Sequence, residues 1–133
     1  MKLIKKTCVA VLSFTAMSVF AAPKNLFIHN NTPYQSSAFV GGVAPYKPTE
    51  PNTTRMVNWG LVRVACAKQV TPVQPYCTAS IKIIIDPKDS ASAITIGEVR
   101  IHIETGDISP KEITSNGFTI RAEGPGIARI TKN

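Results

Sequence analysis

LVRVACAKQVTPVQPYCTASIKIII, residues 61–85, is the stretch on which the reading of this chain turns. It carries Cys66 and Cys77 with ten residues between them, Pro72 and Pro75 included. On the left flank Val62, Val64 and Cys66 alternate with Arg63; on the right flank Cys77, Ala79, Ile81, Ile83 and Ile85 alternate in the same phase. Period-two alternation is the signature of a half-buried strand, so the pattern predicts two strands that both send their sulfurs inward. A bond between the two sulfurs closes a short loop, and the chain-entropy estimate for such a closure is roughly 3 kcal/mol. The two prolines stiffen the loop and would present Val73, Gln74 and Tyr76 to a partner at small entropic cost. They equally serve to keep a hairpin loop from pairing with stray strand edges.

The pairing depends on compartment, which the first residues address. MKLIKKTCVAVLSFTAMSVFA, residues 1–21, sets Lys2, Lys5 and Lys6 before an apolar run and ends in small residues around a cleavage bond. That is the form of a secretory signal peptide, with the cut expected between Ala21 and Ala22. About 14 apolar residues make roughly 21 Å of helix, too short for a hydrocarbon core of about 30 Å. Cleavage removes Cys8, leaving two cysteines and one possible pairing in an oxidising compartment. A redox centre prefers cysteines two residues apart, and a zinc site needs four ligands where His29 and His102 are distant in sequence. The expected organisation is thus a signal peptide at 1–21 and one domain at 22–133, periplasmic or extracellular, with no membrane-spanning segment in the mature chain.

Alternation continues through the rest of the chain. NLFIHNN (25–31), SSAFV (36–40), TRMVNWG (54–60), CTASIKIII (77–85), AITIGEVRIHIET (93–105), GFTIRAE (117–123) and IARIT (127–131) read as strands, with LVRVAC (61–66) as a further strand or the continuation of its predecessor. In the fifth of these Val99, Ile101 and Ile103 face inward, Arg100, His102 and Glu104 face water, and Gly97 marks a bulge. Residues 43–53 hold three prolines and no periodicity, which suits an extended connection. Seven to eight short antiparallel strands imply an all-β sandwich, immunoglobulin-like in the broad sense.

Four pieces of this pattern carry a resemblance: NNTPY (30–34) after a short first strand, the LVRVAC and CTA pair, the isoleucine-rich strand with its glycine, and the closing GFTIRAEGPG (117–126). Together they resemble a group of small exported bacterial proteins that begin with an N-N-T turn and keep one mid-chain disulfide, across most of residues 24–130. The resemblance implies an exported all-β domain. The group has no assigned activity, so it contributes no catalytic residue.

Chemistry is sparse in the residues themselves. The two histidines lie on separate strands, and no GxSxG, HExxH or glycine-rich phosphate loop occurs. Bonded cysteines supply no thiolate. Asp86 and Asp89 share one turn but lack a calcium-loop pattern, and an Asx turn explains them. No metal or cofactor is expected. Without the three signal lysines the chain has twelve basic and eight acidic side chains, too mild an excess for nucleic-acid binding by counterion release. The alternation nonetheless puts Arg63, Lys82, Arg100, His102 and Arg121 on outward faces, a candidate stripe for phosphates or anionic sugars. The leading expectation is an exported, non-catalytic binding protein for a protein partner or an anionic envelope or host-surface component. Two alternatives stand beside it: a subunit or effector accessory that pairs through an exposed edge strand, and a small hydrolase built on His29 or His102 with a carboxylate.

Overall fold

A computed structural model describes residues 21–133; residues 1–20, nearly all of the stretch read as an export signal, lie outside the described residues. The elements run β1 (Asn25–Asn31), β2 (Gln35–Val40), β3 (Thr53–Asn58), α1 (Trp59–Cys66), β4 (Tyr76–Ile84), a 3₁₀ turn (Ser90–Ser92), β5 (Ile94–His102), β6 (Ile108–Ser109), β7 (Glu112–Ser115), β8 (Phe118–Gly124) and β9 (Ile127–Lys132). Alternating burial along β1 and β4, where every second side chain is buried, forces each sheet to cover one face. The cover is mutual. Strands β3-β1-β9-β8-β7 form one sheet and β2-β4-β5-β6 the other.

Leu26, Ile28, Phe118, Ile120, Ala128 and Ile130 come from the first sheet to meet Cys77, Ala79, Ile81, Ile83, Ile96, Val99 and Ile101 of the second. The all-β sandwich read from alternation is the observed architecture. Its strands number nine among the described residues, because the stretch after residue 105 contributes the short β6 and β7. One pair is parallel: β1 beside β9, which brings the first and last strands together. The bulge expected near Gly97 is present, where the β4–β5 register slips between Ile81 and Lys82.

LVRVAC is not a strand. Residues 59–66 form helix α1, started by Asn58, whose side chain accepts a hydrogen bond from the Gly60 amide. Its buried residues are Trp59, Val62 and Cys66, spaced by three and four as a helix face requires. Val64, expected inward, is 73% exposed. Both readings put Val62 and Cys66 on the same side, which is why the sulfur geometry survived the error. Cys66 at the end of α1 and Cys77 on β4 are bonded, with Cα atoms 5.6 Å apart and both residues fully buried. Trp59 locks the helix to the sandwich by donating its indole N–H to the Ile103 carbonyl at 3.0 Å.

The proline-rich connection folds back on β2. Thr49 and Ser36 exchange backbone hydrogen bonds of 2.7 and 3.0 Å, closing that edge of the four-stranded sheet. A buried polar clip holds the fold-back. Asn30 donates to the carbonyls of Tyr34 at 2.8 Å and Glu50 at 3.1 Å, while its carbonyl oxygen accepts from the Thr32 hydroxyl at 2.8 Å.

Candidate binding surfaces

The five outward cationic positions do not converge. Arg63 stands on α1, not on a strand, and pairs with Glu104 at 3.1 Å. Arg121 lies on β8 in the other sheet, held by Glu112 at 2.6 Å. Both guanidinium groups therefore sit beside a carboxylate that screens them. The remaining three share the outer face of the four-stranded sheet. Lys82 rests over the Phe39 ring, 5.0 Å from its centroid, and Arg100 over the Tyr76 ring at 4.3 Å. The His102 ring meets Tyr76 edge-on at 5.0 Å. Its Nδ1 accepts from the amides of Glu104 and Thr105 at 3.2 and 3.3 Å.

Of the three loop residues, Val73 and Gln74 are exposed and Tyr76 is half-buried. Val73 is 92% exposed. Gln74 turns back into the loop, donating to the carbonyls of Gln69 and Tyr76 at 2.8 and 2.7 Å and accepting from the Tyr76 amide at 2.9 Å. Tyr76 belongs to β4, with its ring in the Arg100–His102 cluster.

His29 Nδ1 lies 2.7 Å from the Thr54 hydroxyl on the outer face of the five-stranded sheet. Among the described residues neither histidine is within salt-bridge distance of a carboxylate, and no group of three His, Cys, Asp or Glu side chains is placed to hold a metal ion. No helix among them is long and apolar enough to cross a membrane. On the same outer face the Arg129 guanidinium bonds the Glu123 carboxylate at 2.7 Å. That bond holds the Glu123 carboxyl below the usual glutamate range and raises Arg129 in turn.

The most distinctive surface involves none of these residues. A groove of about 500 Å³ runs between β3, α1 and residues 43–46 of the proline-rich connection, with Ala38 and Val40 of β2 behind it. Seven large apolar side chains are exposed among the described residues, and five of them line this groove: Val43, Tyr46, Met56, Leu61 and Val64, from 52% to 94% exposed. A cluster of this kind marks an interaction site far more often than scattered single residues do. Strand logic concealed it. Read as a strand, residues 61–66 bury Val64; read as a helix with Trp59, Val62 and Cys66 inward, they turn Leu61 and Val64 out beside Met56. The signal available was Asn58 as a cap before apolar residues spaced by three and four.

Sheets, clamp and groove together define a class: a disulfide-tied β-sandwich with a short capped helix lying across one open side and an apolar cleft beside it. The chain belongs to the family described as T2SS substrate NttC, whose model matches residues 1–133. The crystal structure of the Legionella pneumophila type II secretion system substrate NttC is similar, with a TM-score of 0.73 and 39% sequence identity, over 84% of this chain and 100% of that one. No curated protein matches.

Proposed function

We propose that this chain is an exported binding protein that acts without chemistry of its own, docking a partner protein in the groove between β3, α1 and the connection. The observation that carries the reading is the gathering of five exposed apolar side chains around one cleft. Covering a large aliphatic side chain is worth about 1.5–3 kcal/mol, so a few of these residues suffice for a specific complex once the costs of association are met. Export is supported by the lysine-then-apolar start of the sequence and by the buried disulfide. The similar Legionella protein is described as a type II secretion substrate, which extends to this chain the expectation of the same route.

Two measurements test this. In the native host, the protein should reach the culture medium only when the type II machinery is intact; equal release without it contradicts the route. Purified oxidised protein should bind saturably to a panel of host-surface and envelope proteins, and Leu61→Asp should abolish the binding with the fold retained. Binding indifferent to Leu61→Asp contradicts the site. A second reading, recognition of an anionic ligand, is favoured by one observation: Arg100 and Lys82 share a sheet face and, among the described residues, neither has a carboxylate within 4.0 Å. It predicts salt-sensitive binding lost on Arg100→Ala.

A further inference from the structure

The groove has a backbone side and an electrostatic side as well as an apolar one. β3 is the edge strand of the five-stranded sheet, paired with β1 alone. Among the described residues the backbone of Thr53–Val57 makes no hydrogen bond outside that pairing, in contrast to β2, whose outer edge Thr49 occupies. Such an open edge is a template for an extended chain, with backbone bonds supplying affinity and alternate side chains supplying selectivity. Apolar positions stand where alternate side chains would fall: Met56 on the edge itself, Leu61 and Val64 on the helix, Val43 and Tyr46 across the gap.

Charge decides what kind of chain fits. Among the described residues Arg55 is the one charged residue lining the groove, and no acidic residue lines it. Its guanidinium donates to neutral oxygens only, the carbonyls of Lys47 and Pro48 at 2.8 and 2.9 Å and the Thr49 hydroxyl at 3.2 Å. Among the described residues no carboxylate lies within 4.0 Å of it. Lys47 adjoins it in the neighbouring depression beside Glu50. A second copy pairing antiparallel along the six residues of β3 would bring the two Arg55 side chains close together, a like-charge arrangement that disfavours self-association. A carboxylate on the incoming strand is attracted instead.

We infer that the groove takes an extended segment of a partner protein, added to the free edge of β3, with apolar residues alternating and a carboxylate set against Arg55. This rests on the groove being the binding face and adds the chemistry of the occupant. The test is selection of ten-residue random peptides displayed on phage against the oxidised protein, followed by affinity measurement on the enriched sequence as a synthetic peptide. Enriched peptides should carry Asp or Glu among alternating Val, Ile, Leu or Phe, with no helical spacing. Arg55→Gln should weaken binding at least tenfold; because Arg55 also braces the connection, Lys47→Glu, on the exposed rim, should weaken it severalfold independently. A proline placed within the bound core of the peptide, which removes a backbone donor, should cost a further tenfold or more.

Enrichment no greater than on Leu61→Asp protein, basic peptides, or peptides tolerant of proline would each overturn the inference. A groove-bound protein partner whose affinity falls with Leu61→Asp but ignores Arg55→Gln and Lys47→Glu overturns the acidic-strand assignment while leaving the binding face in place. Concentration-dependent dimers that vanish with Leu61→Asp overturn it in favour of a second copy.

Discussion

Asn30 shows how one side chain can hold two distant segments. It is fully buried, and its amide satisfies the carbonyls of Tyr34 and Glu50 while Thr32 satisfies its oxygen. Asn30→Ala removes one donor from each of those carbonyls, which keep the Thr32 and Thr53 hydroxyls, and takes away the buried acceptor of the Thr32 hydroxyl, so it should destabilise the fold by about 1–3 kcal/mol, read as a lower urea midpoint. A loss below about 0.5 kcal/mol would mean the clip is incidental. The N-N-T motif announces a turn in the sequence, but its partners at Thr49 and Glu50 are some 20 residues on and leave no local mark. Glu123 supports a prediction in pH. Its folded carboxyl is held below the ordinary value by the bond from Arg129, so the contribution to stability is complete above that ordinary value and fades as pH falls through the lowered one. Glu123→Gln should therefore flatten the stability profile on its acid side, below the ordinary glutamate value. An unchanged acid limb would mean that the pair contributes nothing in solution, as many exposed pairs do.

At the level of elements, α1 is the instructive case. Eight residues are too few for a helix to announce itself by period, and Val62 and Cys66, four apart, share a face in a strand as well as in a helix. What decides is tertiary: Trp59 reaches the Ile103 carbonyl, Cys66 meets Cys77, and both ends of the helix are fixed from outside it. Gly41 completes the seat. Its φ is +63°, and a Cβ there would lie 2.1 Å from the Ala65 carbonyl oxygen. Gly41→Ala must push α1 off the sandwich, and a destabilisation of about 2 kcal/mol or more is expected in denaturant unfolding. The same variant should loosen the groove, because Leu61 and Val64 ride on that helix. Wild-type stability in Gly41→Ala would show that α1 tolerates displacement. The strands, by contrast, were legible from their alternation, apart from β6 and β7, whose two and four residues are too short to establish a period.

For the whole molecule, the sequence disclosed the sandwich and its clamp, and it did not disclose the face on which the proposed function rests. Alternation says which residues of a strand turn outward; it is silent on which outward residues of different elements become neighbours. The cations found outward by that logic dispersed to two sheets and a helix, whereas Val43, Tyr46, Met56, Leu61 and Val64 came together from a connection, a strand and a helix. The most direct test of that face is amide hydrogen exchange on the oxidised protein, free and saturated with the peptide enriched by selection. Protection should appear along Thr53–Asn58, on α1 and in residues 43–46, with the amides near Tyr76, Arg100 and His102 unchanged. Protection confined to the Tyr76–Arg100–His102 face, with β3 exchanging as fast as in the free protein, would contradict it.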